Sequence, residues 1–527
     1  MPDTPLDAPP PRLLLSTAAI RALEARGLAA TPAGELMSRA ADAIADTCVT
    51  LLRRLPPRTP VLALAGPGNN GGDALLAALR LADRGFAVHG LALSTELPTA
   101  RDARAVRGLW AARGLPLAAP EALGALLATA PLVIDGLFGI GLTRALPPAA
   151  LAIAERLAGA PVTVVAVDVP SGLDADSGAV VGGPGAAAVR ADVTVTMIAD
   201  KPGLHTGASC DHAGRVVVAD LGLPALGIVC TDPLGQGRLV DEDAVRGLLQ
   251  PRPRDAHKGR FGDVVVIAGA VAMRGASLLA MLGAQAVGAG RIYLAFDGEV
   301  APDPRDPELM TRRIDRSATT AGRMLGPAHA IVAGCGFGRP DDAGRRILEA
   351  ALAHPAALVL DADGLNAVAA DAGLREALCA RAAHALPSVL TPHPLEAARL
   401  LGIDATDVQR DRPDAARRLA AATGACVVLK GAGTVVALPD GSWSINASGG
   451  PILSVAGTGD VLAGAIGGLL AGGLAPAQAA ALGVWLHGAA GDALAAAPRW
   501  SGSIGLPASR LRDAIRARVN RLAGDRS

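Results

Sequence analysis

The sequence has few aromatic residues and no excess of charge of either sign. Phenylalanine, tryptophan and tyrosine make up 2% of its 527 residues, so few rings are available on which nucleic-acid bases could stack. Lysine plus arginine number 49, as do aspartate plus glutamate, and the formal net charge is zero. Bulk charge therefore gives no attraction to nucleic acid or to an anionic membrane, and we predict neither as a partner.

The six cysteines are scattered, without a C-x-x-C pair. This pattern suggests neither a disulfide framework nor a zinc site, and it is typical of proteins in the reducing cytosol. Residues 1–12, MPDTPLDAPPPR, lack the basic start and the apolar run of a secretory signal, so we predict a short disordered tail. Together these features favour a cytoplasmic protein.

Small apolar residues are abundant instead, and residues 461–486 form a run of twenty-six residues without a charge. A run of this length raises the question of a membrane span. Gly472, Gly473 and Pro476 interrupt it, however, and no basic anchors flank it. We predict two buried helices joined by a turn.

Short β-branched segments alternate with Ala- and Leu-rich segments along the chain, which indicates parallel sheets with crossover helices. The predicted strands are 61–65, 87–93, 131–136, 162–168, 193–199, 263–269, 291–296, 330–334, 357–363, 388–392 and 426–431. The chain is longer than a single core usually supports. We predict an α/β protein with domains at 13–232 and 241–522, joined by a linker at 233–240.

In the first half, the segment AGPGNNGGDALL places a glycine-rich turn between a strand and a helix. The backbone N–H groups of such a turn and the helix N-terminus can bind phosphate, although the turn could also be only a tight connection. The following strand, AVHGLALST, lacks the acidic residue of a dinucleotide fingerprint. Any nucleotide bound here must therefore use another geometry.

Oxygen-bearing side chains follow three of these strands. Asn70 lies in the glycine-rich turn, Asp135 and Asp168 end two strands, and Ser171 follows Asp168. Carboxylate, hydroxyl and amide oxygens suit a hard cation.

The motifs GPGNNGGD, DGLFGIGLTR, VDVPSGLDADSG and ADKPGLHTG occur in this order, and together they resemble the NAD(P)HX epimerase domain. The resemblance implies a Rossmann-like three-layer fold and hydrated NADH or NADPH (NADHX, NADPHX), whose C6 epimers are interconverted, as the substrate. It also implies a potassium ion bound by Asn70, Asp135 and Ser171, and Asp168 as an acid/base residue facing the substrate. The implied dinucleotide-binding residues are Asn69, Asn70, Gly71, Gly72, Asp73, Gly139, Ile140, Gly141, Leu142, Thr143, Arg144 and Ala145.

This half also contains Lys201 and two departures from the family's usual sequence. Lys201 could steer charge or be a surface lysine. Ala74 stands where the family usually has glycine, and the early helix contains LMSRAADAIA where LMERAG is usual.

In the second half, Asp460 lies in the segment VAGTGDVLAGAIGGLL, at the start of the uncharged run. Glycines let the chain approach a phosphate, and the following helix directs its positive end towards that charge. A carboxylate there could accept the proton of a hydroxyl that attacks a phosphate, with Mg²⁺ neutralising charge. The alternative is that Asp460 caps the helix. His393 and Lys430, each near a strand end, could likewise be structural.

The set HKG, DADGLN, TPHP, LKGAGT and GTGDVLAG resembles the ribokinase-like NAD(P)H-hydrate dehydratase domain. The resemblance implies that ADP phosphorylates the hydrate and that phosphate then leaves, with Asp460 as the base. It implies substrate contacts from Ala276, Gly336, His393 and Asp460, and nucleotide contacts from Lys430, Gly431, Ala432, Gly433, Thr434 and Gly459. Leu395 replaces a usual glycine, and AGTGD replaces a commoner G-G-M/T-G-D.

We therefore predict a bifunctional repair enzyme in which an epimerase precedes a dehydratase. The alternatives are a small-molecule kinase, for example for a vitamin-precursor alcohol, fused to a non-catalytic nucleotide-binding module, and a front domain that only binds or scaffolds. The sequence leaves open whether ADP or ATP is the donor and whether NADHX or NADPHX is preferred. We expect a homo-oligomer.

Overall fold

The computed structural model describes residues 12–524 except 57, 184, 224–235, 268–272, 297–305, 314–324, 339–341 and 500. Contacts divide the chain into two compact units, with the boundary between Gly237 and Arg238. Nearly all of the predicted tail, residues 1–11, and residues 233–235 of the predicted linker lie outside the described residues.

The remainder of the predicted linker, Gln236–Val240, is a strand, so the linker assignment is wrong there. Its residues 238–240 pair in parallel with residues 444–446, and Leu239 and Val240 are buried. Backbone pairing and burial of two apolar side chains thus override the Pro- and Gly-rich composition that suggested a linker.

The N-terminal unit is built from one parallel sheet with helices on both faces. A short strand, β1 (Leu13–Leu15), is not part of this sheet, whose strands are β2 (Val61–Ala65), β3 (Val88–Ala92), β4 (Leu117–Ala118), β5 (Leu132–Gly136), β6 (Thr163–Val167), β7 (Val193–Met197) and β8 (Arg215–Ala219). Its helices are α1 (Thr17–Ala30), α2 (Glu35–Leu52), α3 (Asn69–Asp83), α4 (Arg101–Ala112), α5 (Leu123–Leu127) and α6 (Pro148–Ala158).

The sheet order is β4-β3-β2-β5-β6-β7-β8, and each neighbouring pair is parallel. Alternate residues of β2 face different cores. Val61, Ala63 and Ala65 belong to the core formed with α2 and α3, whereas Leu62 and Leu64 belong to the core formed with α6. This confirms the predicted three-layer arrangement.

The C-terminal unit contains a larger mixed sheet. Its strands are β9 (Gln236–Val240), β10 (Asp263–Ile267), β11 (Arg291–Phe296), β12 (Met310–Arg313), β13 (Ala330–Ala333), β14 (Ala357–Leu360), β15 (Ser388–Leu390), β16 (Cys426–Leu429), β17 (Val435–Ala437) and β18 (Trp443–Asn446). The first of its helices are α7 (Glu242–Val245), α8 (Arg274–Ala286), α9 (Asp342–Ala353), α10 (Ala362–Ala370), α11 (Ala372–Ala383) and α12 (Pro394–Leu401). The others are α13 (Ala405–Arg410), α14 (Arg412–Thr423), α15 (Thr458–Ala471), α16 (Pro476–Ala496) and α17 (Leu511–Leu522).

From β9 the order of this sheet is β9-β18-β17-β16-β15-β14-β13-β10-β11-β12. The strands from β10 to β16 pair in parallel, as predicted, but β16, β17 and β18 pair antiparallel. The sequence prediction missed this meander because β17 and β18 have only three and four residues.

The uncharged run forms α15 and the first half of α16, joined by a turn, as predicted. Helix α15 packs closely on α8, because a Cβ added at Gly464 would overlap the carbonyl of Ala280 and one at Gly283 would overlap that of Val461. Within the part of the chain that is described, no helix is both long enough and apolar enough to cross a bilayer.

Candidate active sites

The first candidate site lies where the order of the N-terminal sheet reverses. Strands β2 and β5 are neighbours, while the strands that follow each of them extend the sheet in opposite directions. Ligands of open α/β sheets bind at such a point, outside the carboxyl ends of the strands. A cavity of about 350 Å³ is found there. Of the residues named from the sequence, it is lined by Asn69, Asn70, Asp73, Gly139, Ile140, Gly141, Leu142 and Asp168.

The other predicted residues of this site do not line the cavity. Gly71 is buried in the first turn of α3, and a Cβ there would overlap the carbonyl of Gly66. A Cβ added at Gly72 would be too close to atoms of Met37 and Ala103. These glycines therefore let α3 pack closely, and Thr143–Ala145 lie beyond the cavity lining.

Asp168 is held by a buried lysine. Its carboxylate Oδ1 accepts hydrogen bonds from Lys201 Nζ at 2.8 Å and from the N–H of Met197 at 3.0 Å. Lys201 is completely buried, so the alternative of a surface lysine is wrong. Asp168 also has a φ of 68°, in the left-handed region that residues other than glycine rarely adopt. Such backbone strain is concentrated at functional sites.

Three further carboxyl groups line the same cavity, on three different helices. They belong to Glu24 on α1, Asp73 on α3 and Asp102 on α4. Burial raises the pKa of Asp73 well above its usual range, and the charges of Asp168, Glu24 and Asp102 act in the same direction. Burial and the charge of Asp168 also raise the pKa of Glu24. The cavity therefore combines an ion-paired carboxylate, Asp168, with two carboxyl groups, Asp73 and Glu24, whose pKa values are raised.

Asp135 and Ser171, two of the three proposed potassium ligands, are in contact. Ser171 Oγ donates to Asp135 Oδ1 at 2.7 Å, and the Ser171 N–H donates to Asp135 Oδ2 at 2.9 Å. Asp135 is completely buried, and burial raises its pKa. The third proposed ligand, Asn70, has an Nδ2 atom that is buried without a hydrogen-bond partner among the described residues. The carboxylate of Asp135 and the hydroxyl of Ser171 are oxygen ligands of the kind that hard cations prefer.

The second candidate site lies at the carboxyl ends of the strands of the C-terminal sheet. Asp460 is the third residue of α15, and the N-cap of this helix is Gly457, with a φ of 93° and no side-chain cap. Asp460 is therefore not the helix cap. Burial raises its pKa to about 6, and the charge of Asp361 acts in the same direction, against the Cys335 thiol and Lys430.

Lys430 lies beside the first turn of the helix that carries Asp460. Lys430 Nζ lies 2.6 Å from Asp361 Oδ1, and a Cβ built on Gly459 would lie 3.4 Å from Lys430 Nζ. Although burial opposes it, Asp361 and Glu396 raise the pKa of Lys430 above its usual value. Cys335, Asp361 and Asp460 each place a ligand atom within 4.8 Å of the others. The site thus has a candidate base beside a cation paired to a second carboxylate.

A buried arginine, Arg412, is hydrogen-bonded to the backbone at the start of the loop of residues 430–434. Arg412 Nη2 donates to the carbonyl oxygens of Leu429 and Lys430, each at 3.2 Å. Its guanidinium lies against Gly431, where a Cβ would come within 2.8 Å of it. Gly431 and Gly433 have φ values of 140° and 59°, which favour glycine.

Of the predicted substrate contacts, Ala276 and Gly336 lie next to each other, and His393 caps a helix. A Cβ on Gly336 would lie 3.0 Å from the Cβ of Ala276. His393 caps α12, because its Nδ1 accepts from the N–H groups of Leu395 and Glu396. Its Nε2 lies 3.1 Å from Glu396 Oε1. A substrate contact of His393 remains a prediction.

Comparison with known proteins covers both units. A family model described as YjeF-related protein N-terminus matches residues 33–203, and that of NAD(P)H-hydrate dehydratase matches residues 264–516. The bifunctional NAD(P)H-hydrate repair enzyme Nnr of Coxiella burnetii is 37% identical over 494 residues, which cover 92% of this chain and 95% of that protein. The enzyme of the same name from Escherichia coli is 34% identical over 472 residues, 88% of this chain and 85% of that protein. The chain belongs to the family of bifunctional NAD(P)H-hydrate repair enzymes.

Solved structures similar to the C-terminal unit are also known. The ADP/ATP-dependent NAD(P)H-hydrate dehydratase from Bacillus subtilis, co-crystallised with ATP and Mg²⁺, is 30% identical; the match covers 54% of this chain and 98% of that one, with a TM-score of 0.46. The two family-model matches and the similar repair enzymes confirm the predictions of the family and of a bifunctional enzyme, and the two sheets confirm that of a two-domain α/β fold.

Two departures from the family's sequence pattern are accommodated in this repair-enzyme fold. Ala74 is buried in α3 and packs on Gly136, where a Cβ would overlap its methyl group. A glycine on the facing strand thus makes room for Ala74. Leu395 is 46% exposed, so it does not fill an enclosed pocket beside His393.

Several functional groups were missed by the sequence analysis. They are Glu24, Asp102, Cys335, Asp361 and the buried His487, which contacts the carbonyl oxygen of Thr458 at 2.9 Å. Asp361 could have been identified, since it is the first residue of the quoted motif DADGLN and lies near the end of a predicted strand. Cys335 is adjacent to Gly336, a predicted substrate contact, whereas nothing in the local sequence marks Glu24, Asp102 or His487 as neighbours of the sites.

Proposed function

We propose that the chain repairs hydrated NADH and NADPH. The N-terminal unit interconverts the C6 epimers of the hydrate, and the C-terminal unit converts one epimer to NAD(P)H with ADP, releasing AMP and phosphate. The observation that carries the proposal is the environment of Asp460, a carboxyl group with a pKa raised to about 6 at a glycine-rich helix start.

In the dehydratase, Asp460 takes the proton of the hydrate hydroxyl as that oxygen attacks the terminal phosphoryl group of ADP. A base with a pKa close to the working pH is efficient in this role. The uncapped first turn of α15 and the glycine-rich loop 430–434 offer N–H groups to the phosphates. Lys430 lies next to Gly459 and neutralises charge on the same side.

The carboxylates of Asp361 and Asp460 are oxygen ligands of the kind that Mg²⁺ prefers, and with Cys335 they form a compact group. The Asp361 carboxylate would hold the metal, since Asp460 must stay free to act as the base and a thiol is too soft a ligand for Mg²⁺. Mg²⁺ bound with the nucleotide would neutralise the charge that develops during phosphoryl transfer. Phosphorylation converts the hydroxyl into a good leaving group. Departure of phosphate from C6, with loss of a proton from C5, then restores the dihydronicotinamide ring.

In the epimerase, the cavity of about 350 Å³ accepts the hydrated nicotinamide end of the dinucleotide. Its lining contains four carboxyl groups, which would repel the phosphates but not a neutral ring. Inversion at C6 needs either loss and return of water or ring opening, and both routes move a proton at the C6 hydroxyl. Asp168 is the residue that we assign to this exchange.

We propose that Asn70, Asp135 and Ser171 bind potassium. The ion would supply the counter-charge that the buried Asp135 lacks among its described contacts, which are N–H and hydroxyl groups. It would also tie the loop after β5 to the start of α3. We further propose ADP as the donor, a homo-oligomer, and a cytoplasmic location, which the absence of a disulfide among the described cysteines supports.

The test is to incubate the full chain with an equimolar mixture of the two hydrated NADH epimers, ADP and Mg²⁺ and to follow the absorbance of NADH. Complete recovery requires both activities, because the dehydratase alone would stop after the one epimer it accepts. Recovery that stops at half of the substrate would contradict the epimerase assignment. A stable phosphorylated hydrate without NADH would favour the kinase alternative.

A further inference from the structure

Asp168 is fixed by contacts to one side of its carboxylate. Its N–H donates to the carbonyl oxygen of Val195 at 2.7 Å, which holds the backbone at a φ of 68°. Both hydrogen bonds to its side chain, from Met197 N–H and Lys201 Nζ, go to Oδ1. Among the described residues, no donor contacts Oδ2. The two oxygens of this carboxylate therefore have different surroundings.

The second oxygen faces the cavity. A Cβ built on Gly139, in the loop after β5, would lie 3.4 Å from Asp168 Oδ2 and 3.0 Å from Asn70 Oδ1. Gly139 and Asp168 both line the cavity. Substrate in the cavity would therefore meet Oδ2 and not Oδ1.

Lys201 has no surface from which it could contact substrate. Its side chain is 0% exposed, and the chain contains only two other lysines. Besides Asp168, Nζ contacts Thr196 Oγ1 at 2.7 Å and the carbonyl oxygen of Met197 at 3.0 Å. Removing a lysine from water is costly unless it is paired and hydrogen-bonded, and here both conditions hold. Such an arrangement holds the ammonium group, and with it Asp168, in one position.

We infer that Lys201 is the positioning residue of the epimerase site: it holds Oδ1 of Asp168 so that Oδ2 is presented to the C6 hydroxyl of the substrate. The inference rests on the proposed epimerase function and extends it. Lys201 acts through Asp168 and does not itself touch the substrate. The other charged groups that line this cavity, Glu24, Asp73 and Asp102, are acidic, and the charges of Arg21 and Lys201 both lower the pKa of Glu24 against the effect of burial.

The experiment uses the full chain without ADP, so that the dehydratase does not consume the hydrate, and measures interconversion of separated epimers by chromatography. Lys201→Met should lower kcat by about 10²-fold, the loss typical of a displaced catalytic group, while KM changes by less than about threefold. Thr194→Val is the matched control. Thr194 lies on β7, and its side chain donates a buried hydrogen bond to the carbonyl oxygen of Ala213. The substitution removes this bond without changing a contact of Lys201, so kcat should stay unchanged.

A double-mutant cycle separates positioning from a general loss of structure. If Lys201 acts through Asp168, adding Lys201→Met to Asp168→Asn should change kcat by less than about threefold, because coupled residues are not additive. Additive losses, or an unchanged kcat in Lys201→Met, would overturn the inference. If Lys201→Met does not fold, Thr196→Val provides the test, because it removes only one hydrogen-bond partner of Lys201 Nζ. A kcat lower than that of Thr194→Val would support the inference, and equal kcat values would overturn it. A wild-type chain without epimerisation would instead refute the proposed function.

Discussion

Lys430 Nζ lies 2.6 Å from Asp361 Oδ1, beside the first turn of the helix that carries Asp460. The two groups act on Asp460 in opposite directions, since the charge of Asp361 raises its pKa and that of Lys430 lowers it. Burial has the largest effect and raises the pKa of Asp460 to about 6. Asp460 is thus ionised near neutral pH but remains a stronger base than an ordinary aspartate, as a proton acceptor in this reaction requires.

Asp460→Asn should abolish recovery of NADH while leaving the rest of the protein intact. Asparagine keeps the shape of the side chain but cannot take the hydroxyl proton, and loss of a general base costs about 10² to 10⁴ in rate. We expect normal epimerisation, ADP binding in calorimetry and thermal unfolding close to that of the wild type. Recovery of NADH at a rate near that of the wild type would show that Asp460 is not the base.

The pH dependence of the dehydratase should report Asp460. Because the base must be unprotonated, kcat/KM for NADH formation should fall as the pH decreases through about 6. The Cys335 thiol lowers the pKa of Asp460, so Cys335→Ala should move this limb to higher pH. Initial rates between pH 5 and 8 check both points, and an unshifted limb in Cys335→Ala would contradict the contact.

Gly433→Val should weaken ADP binding without affecting epimerisation. Valine at a φ of 59° strains the backbone, and its side chain would crowd the phosphates bound by loop 430–434. Gly441→Val is a matched control, because Gly441 has a φ of 88° in the turn between β17 and β18, away from this loop. Calorimetry should give weaker ADP binding for Gly433→Val only. Equal affinities in the two variants would remove the loop from the nucleotide site.

Potassium should stabilise the N-terminal unit through Asp135. Binding to the folded state alone raises the melting temperature with ion concentration. We expect a higher melting temperature in potassium chloride than in choline chloride at equal ionic strength, and loss of this difference in Asp135→Asn. Asp192→Asn, which alters a carboxylate that accepts a hydrogen bond from the Val164 N–H, is the control and should retain the difference. A potassium effect that persists in Asp135→Asn would place the ion elsewhere.

Much of the fold could be predicted because its main elements are locally encoded. The eleven predicted strands overlap observed ones, since a buried parallel strand is a short β-branched run that ends at a turn. The uncharged run was predicted as two helices because Gly472, Gly473 and Pro476 mark the turn between them. Strand β9 was missed, and residues 236–240 were assigned to a linker, because its pairing partner β18 lies about 200 residues further along the chain.

The candidate sites were predictable where a motif keeps its residues together in sequence. The glycine-rich turn at 69–73 and the helix start at 457–460 are of this kind, because backbone geometry dictates glycine at their close contacts. The partners that set the chemistry come from distant positions. Lys201 lies 33 residues from Asp168, and Lys430 lies 69 residues from Asp361. Local patterns cannot show such pairs.

The sequence by itself determined the fold class, the family and the identity of the two principal carboxylates, Asp168 and Asp460. Strand periodicity and short motifs are local properties, and they survive in the linear chain. Only the tertiary structure decided that Lys201 is a buried partner of Asp168 and that Asp460 stands inside the helix and not at its cap. Those facts depend on which side chains the sheets bring to the same edge. Burial and neighbouring charge, which set the basicity of a carboxylate, do not exist until the chain has folded.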